Sequence, residues 1–332
     1  MRVKADVHIS PEEVTRIIET RYGLKVHSLT KVRAVYKAKT SHGVYGFKNA
    51  EELPDLPFII SCLNCIRKNG FRRMPSFLPS LEGDWLVDDH GETYFMEEWH
   101  DLTEVPPDSY PYWKKIAGTL AEFHEASRGI PHGDHNEREY LGRRHQYLRK
   151  MLEKLRNWRQ SCRDHRQAAL LDFALTRAKL AYHLIQDVPE RVMPEHAVWC
   201  HGGLQHRNIM IDRKRQIWLI DFETLTYMER VADLAQFVQY HGYAYNWPPS
   251  AIWRFLSAYE KRASKPLDPD EWKMFFSYLL FPKRLGSRFQ RYYGKRSPDQ
   301  KDWEKCTNTV AKEFLKETFL QQIRPMLERR GF

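Results

Sequence analysis

Asn208 and Asp221 stand at the two ends of a segment whose pattern folds back on itself. A polar loop, His201 to Asn208, precedes two apolar runs, Ile209-Met210-Ile211 and Ile217-Trp218-Leu219-Ile220, around a charged Asp212-Arg213-Lys214-Arg215-Gln216 turn. Two short apolar runs about a polar turn predict a β-hairpin. If Asp212 pairs with Gln216 or Ile217 at the tight end, antiparallel register sets Asn208 opposite or nearly opposite Asp221, with side-chain roots about 5 Å apart. An amide oxygen and a carboxylate meeting at the open end of a hairpin suit a Mg²⁺ that also holds nucleotide phosphates. Spacing alone equally allows an ordinary surface hairpin with polar ends.

Other elements must position such a pair. Val35 to Thr40, a Ser41-His42-Gly43 turn and Val44 to Lys48 read as a second hairpin. Tyr94-Phe95-Met96-Glu97-Glu98-Trp99 reads as a further strand. Pro111 opens a helix with Trp113, Ile116, Ala117, Leu120, Ala121, Phe123 and His124 on one face, an i, i+3, i+4 pattern. His124 on that face reads as a packed structural histidine. Pro131-His132-Gly133-Asp134 is read as a loop, with Asp134 or Asn136 capping a long charged helical stretch from Glu137 to Gln167. A zinc role for His132 and His135 is set aside.

The string His201-Gly202-Gly203-Leu204-Gln205-His206-Arg207-Asn208, a hairpin, and then Ile220-Asp221-Phe222-Glu223 resembles the pattern of the aminoglycoside phosphotransferase and choline kinase group of kinase-like enzymes. The resemblance implies an α+β, bilobal protein-kinase-like fold with a small N-terminal α/β lobe and a larger, mainly helical C-terminal lobe. It implies ATP and Mg²⁺ as cofactors, with Asn208 and Asp221 as metal ligands and His201 and the position of Gly203 in the catalytic loop. In the family an acid at that position accepts or orients the proton of the acceptor hydroxyl; here it is glycine. Lys48 falls at the phosphate-contacting strand lysine. Glu97 and Trp99 fall at the interlobe hinge, where backbone groups meet adenine. The segment that should be a Gly-rich flap, Leu29 to Ala34, has no glycine, and larger residues impede close backbone approach. The partner glutamate for Lys48 is not evident: Phe58 to Lys68 has no acid, leaving Glu51, Glu52 or Asp55. Glu223 is the better substitute for the lost base and Asp212, at the far end of the hairpin, the poorer. Asp233, in Val231 to Phe237, resembles the residue that braces the family's active-site loop.

The match narrows in Phe123-His124-Glu125-Ala126-Ser127, the Arg-rich helix after Leu141, Phe275 to Pro282 and Arg288 to Tyr293. These look like the CotS-type spore coat branch, which implies other spore coat proteins as partners, cytoplasmic synthesis in the mother cell and deposition in the coat. Domain boundaries on this reading are 1–95 for the N-terminal lobe, 96–100 for the hinge and 101–332 for the helical lobe carrying the hairpin of 199–223.

Composition bounds the rest. A chain of 332 residues, 42% apolar, buries enough surface for two lobes. Its 53 basic and 43 acidic residues leave a net charge of +10, concentrated in Arg67-Lys68, Arg72-Arg73, Arg213-Lys214-Arg215, Lys283 to Arg296 and Arg329-Arg330. That suits acidic partners, but no nucleic-acid-binding motif accompanies it. Five cysteines, an odd number, argue against a disulfide framework and for a reducing compartment. No apolar leader or membrane-spanning run is read, so an intracellular protein is expected. Two functions follow. One is a catalytically impaired pseudokinase acting in coat assembly by protein binding; the other is an atypical ATP/Mg-dependent phosphotransferase acting on a small-molecule or saccharide hydroxyl.

Overall fold

The computed structural model describes residues 9–50, 53, 55–106, 110–131, 138–190, 197–295 and 299–328, with side chains through 322. Contacts divide the chain into two units, Met1–Glu104 with Asn208–Glu223, and Val105–Arg207 with Thr224–Phe332. The boundaries read from sequence at 95 and 101 fall otherwise: the hairpin strands, assigned there to the helical part, group with the sheet.

In the first unit, helix α1 (Pro11–Tyr22) starts on a capping box between Ser10 and Glu13, with Pro11 in its first turn. Gly23 ends it in the left-handed region. Strands β1 (Val26–Val32), β2 (Val35–Thr40) and β3 (Gly43–Asn49) follow, then helix α2 (Leu56–Lys68), β4 (Phe77–Leu78), β5 (Val87–Asp89), β6 (Glu92–Glu98) and β7 (Thr103–Glu104). The main sheet runs β1-β2-β3-β6-β4, with β5 also on β6. Tyr36, Ala38, Phe47, Tyr94 and Met96 form one apolar face and pack with Val14, Ile17, Ile18 and Tyr22 of α1. Alternation gives the opposite face to Lys37, Gly46 and Glu97, which are cross-strand partners, and to Lys48 two residues on. The turn joining β1 to β2 places Arg33, not glycine, at φ 57°. Arg33 Nη2 bonds Glu104 at 3.0 Å.

The second unit contains α3 (Tyr110–Ser127), α4 (Arg143–Ser161), α5 (His165–His183) and β8 (Ala197–Cys200). The chain crosses to the first unit for β9 (Ile209–Ile211) and β10 (Ile217–Leu219), which form a sheet β10-β9-β7. It returns with β11 (Thr226–Glu229), which pairs β8, and ends in α6 (Val231–Ala244), α7 (Pro249–Arg262), α8 (Pro269–Leu280), α9 (Lys283–Tyr293) and α10 (Gln300–Glu328). The predicted stripe on α3 is buried throughout, His124 included. The long helix expected from Glu137 to Gln167 is two helices, because Asp164 caps a new one, accepting from the Gln167 N–H at 2.8 Å. The Pro131 loop reading falls at 132–137, outside the described residues. No helix among the described residues is long and apolar enough to cross a membrane.

One buried group makes this unit pH-sensitive. His241 on α6 is 5% exposed and lies against Phe237, with ring centroids 4.2 Å apart. Burial, helped by the neighbouring His206, lowers its pKa to about 3. The unfolded chain takes up this proton near the ordinary imidazole value, so it binds more protons than the native state from there down to about 3. Stability therefore rises with pH across that window, by up to about 1.4 kcal/mol per unit. The melting temperature is expected to fall between neutral pH and pH about 5, and His241→Phe should flatten that fall. An unchanged slope in the variant would assign the effect elsewhere.

Candidate active site

In the hairpin, Ile211 pairs Ile217, Met210 pairs Trp218 and Ile209 pairs Leu219. The next rung is a hydrogen bond from the Ile220 N–H to the Asn208 carbonyl at 3.0 Å. Asn208 thus stands opposite Ile220, one residue short of Asp221, the nearly opposite placement expected. Asn208 is 5% exposed and Asp221 half-buried. Asp221 has φ 70°, a left-handed backbone that ends the strand alternation. A non-glycine residue held there costs on the order of 1–3 kcal/mol, and such strain collects at functional sites. At the other end, the Asp212 N–H donates to the Gln216 carbonyl at 3.1 Å. The Asp212 carboxylate accepts from the Gln216 N–H at 2.8 Å and the Trp218 indole at 3.1 Å. Its pKa is lowered: slight desolvation pushes it up, and these hydrogen bonds outweigh that. Asp212 is a turn-forming residue, not a spare base.

On the polar face of the main sheet, Lys48 Nζ lies 2.5 Å from Glu97 Oε1, both side chains under one-fifth exposed. The partner sought on α2 is therefore on β6. Gly46 pairs Glu97 across the strands, which sets Lys48 diagonal to Glu97 on the same face. Of the three acids considered from sequence, Glu51 and Glu52 lie outside the described residues, and Asp55 flanks α2 without a side-chain cap bond. Glu97 meets Lys48 through its carboxylate, where the sequence reading gave it a backbone role. Of the segment 96–100 read as a hinge, residues 96–98 are the end of β6. The Trp99 N–H is already given to the Val44 carbonyl at 2.8 Å, so that donor is not open to a base. Its indole lies against Gly46, where a Cβ would come within 3.4 Å of the ring and 3.3 Å of Val35. Lys37 Nζ lies 5.1 Å from the indole centroid.

In the second unit, the loop from His201 is held from α6. Asp233 accepts from the His201 N–H at 2.7 Å and the Gly202 N–H at 2.9 Å. Gln236, one turn on, accepts from the Leu204 N–H at 2.8 Å and donates to the Gly202 carbonyl at 2.6 Å. Thr224 Oγ1 donates to the His201 carbonyl at 3.0 Å. Position 202 admits only glycine: φ is 71° and a Cβ would lie 2.2 Å from the Thr224 carbonyl oxygen. Gly203 lies outside the left-handed region. Its N–H bonds His201 Nδ1 at 3.2 Å. Behind the loop, Asp233 Oδ2 meets His124 Nε2 at 3.2 Å, and His124 Nδ1 meets the Tyr259 hydroxyl at 2.8 Å. Cys200 joins these two side chains in a cluster whose ligand atoms lie within 4.8 Å. Burial pushes its thiol well above the usual range, which suits a packed thiol.

A family model described as the phosphotransferase enzyme family, APH, matches residues 83–275, more than half of the chain. The chain belongs to this family. An aminoglycoside phosphotransferase from Alicyclobacillus acidocaldarius superposes with a TM-score of 0.80 at 18% identity, over 98% of both chains. A spectinomycin phosphotransferase solved with ADP and spectinomycin gives 0.65 at 15%, over 93% of this chain and 99% of its own. A choline kinase from Streptococcus pneumoniae gives 0.55 at 15%, over 91% and 97%. At such identities the likeness establishes the fold, which is α+β and kinase-like as the sequence implied.

The donor set of this phosphotransferase-family chain fits a nucleotide with its metal. Asn208 and Asp221 offer hard oxygen donors, the kind Mg²⁺ takes. Lys48 offers a cation already oriented by a carboxylate. Asp233 holds the loop, as the resemblance implied, and His124 is the packed histidine read from its helix face. Gln236 and Thr224 were missed, although Gln236 follows Asp233 at the i, i+3 spacing that sets two side chains on one helix face.

Proposed function

We propose that this chain is a pseudokinase of the phosphotransferase family, which binds nucleotide with Mg²⁺ and works in spore coat assembly by binding other coat proteins. The observation that carries the reading is Gly203: the loop around it keeps its Asp233, Gln236 and Thr224 braces, yet the acid position is empty of any side chain. Asn208 and Asp221 would hold the metal, and Lys48, set by Glu97, the phosphates. Bound ATP with Mg²⁺ supplies the phosphoryl group and neutralises its charge. What this chain does not supply at position 203 is an acceptor for the proton of the attacking hydroxyl, a contribution worth about 10²–10⁴ in rate. Expression in the mother-cell cytoplasm and deposition in the coat rest on the CotS-like segments. Their aromatics Phe275, Phe276 and Phe281 are buried, and Arg144 lies 4.3 Å from the Tyr278 ring centroid, so the motif builds the core.

One observation favours a second reading. Asp221 keeps a strained left-handed backbone, which a pure scaffold does not need, and loose phosphoryl transfer leans on positioning and charge. That reading is an atypical phosphotransferase acting on a small-molecule or saccharide hydroxyl without the usual base. Calorimetric titration with ATP, with and without Mg²⁺, tests both. Mg²⁺-dependent binding is expected, lost in Asp221→Ala and weakened in Lys48→Met, with no turnover on hydroxyl acceptors. Turnover abolished by Asp221→Ala would overturn the pseudokinase reading, and no binding at millimolar ATP would remove the nucleotide from it.

A further inference from the structure

The basic run Lys283 to Arg296 contains six cations and no acid. Helix α9 buries Leu285, Gly286 and Phe289 and leaves its charged side outward. Arg284 on that side is covered by Tyr243, 3.9 Å from its ring centroid. Among the described residues no ring covers Arg288 or Arg291 in this way. They line a cavity of about 370 Å³ together with Lys295, Asp302 and Lys305. Asp302 is shared between Lys295 and Lys305, the second at 3.1 Å. Among the described residues no carboxylate or carbonyl pairs with Arg288 or Arg291.

Four cations against one carboxylate leave this lining with a surplus of three positive charges. Two unpaired guanidinium groups one helical turn apart form donor forks whose geometry matches an oxyanion in bidentate fashion. The cavity has the size of a small-ligand site, and the side chains that line it are polar or charged. We propose that this cavity is an oxyanion site that takes a phosphate group, distinct from the nucleotide-binding residues of the first unit. The group arrives free in solution or borne on a phosphate polymer; the recognition chemistry is the same.

Titration of the full chain with inorganic pyrophosphate, metal-free and at about 0.15 M salt, tests the assignment. One-to-one binding is expected, weakened about tenfold or more in the Arg288→Ala/Arg291→Ala double variant, the loss of charge-assisted hydrogen bonds. The Arg288→Lys/Arg291→Lys variant, which keeps the charge and loses the forks, should fall between. Lys48→Met should bind as the wild type does, which separates this site from the proposed nucleotide site. A phosphate polymer that binds more tightly than pyrophosphate assigns a polymer-borne source, and equal affinity a free one. No binding, binding indifferent to the arginine pair, or binding lost in Lys48→Met would overturn the proposal.

Discussion

Replacing Gly203 by aspartate is expected to bring Mg²⁺-dependent transfer from ATP to a hydroxyl acceptor from below detection in the wild-type chain to a measurable rate, since general-base assistance is usually worth about 10²–10⁴-fold. Gly203 lies outside the left-handed region, so an L side chain adds no backbone strain. Two of its hydrogen bonds, N–H to His201 Nδ1 at 3.2 Å and carbonyl from the Gln205 N–H at 2.8 Å, use its backbone groups and do not depend on its side chain. The neighbouring glycine is the internal contrast: Gly202→Asp puts a Cβ 2.2 Å from a carbonyl oxygen and should wreck the loop. ADP release with a panel of aminoglycoside and choline acceptors is the measurement, with Gly203→Asn as the variant of equal shape and no basicity. A gain in the aspartate variant alone shows that the base is what was lost. If Gly203→Asp binds ATP with Mg²⁺ as the wild type does and still transfers nothing, the loss of activity has another cause.

The parts of the site that were legible in the sequence are those set by local geometry. Asp212 and Gln216 close a tight turn, and from there the register to Asn208 and Asp221 follows by counting rungs. The α3 stripe was legible for the same reason, because a periodic face needs no partner to be recognised. What the sequence did not show depends on pairings between distant segments. Lys48 finds Glu97 only because β6 lies beside β3, across α2 and two short strands, and no periodicity announces that order. Trp99 gives up its N–H to Val44 for the same reason. The hairpin strands group with the sheet unit because β9 adds to β7, a two-residue strand too short to signal itself. The break between α4 and α5 was local and readable in principle: Asp164 three residues before Gln167 is a capping pattern, masked by the continuous charge around it.

The largest stability effect is expected at Asp233, whose side chain is 1% exposed. A carboxylate only accepts hydrogen bonds, so the His124 Nε2 at 3.2 Å donates to it, alongside the His201 and Gly202 N–H groups. On its other side His124 Nδ1 meets the Tyr259 hydroxyl at 2.8 Å, and burial raises the pKa of that hydroxyl. Asp233→Ala therefore strips three donors, two of them buried, of their acceptor at once. Unpaired buried donors cost about 1–3 kcal/mol each before relaxation, and breaking a buried charged network costs about 3–5 kcal/mol. Against a total stability of about 5–15 kcal/mol, the variant should unfold at a much lower denaturant concentration, read as a fall in midpoint at constant slope. Asp233→Asn keeps one acceptor oxygen but turns an NH₂ toward donors, and should lie between. A loss under about 1 kcal/mol in Asp233→Ala, the size of one ordinary hydrogen bond, would mean that Gln236 and Thr224 hold the loop unaided. The same variant bears on catalysis: if the loop is placed from α6, the activity gained by Gly203→Asp must disappear in Asp233→Asn under conditions where the protein stays folded.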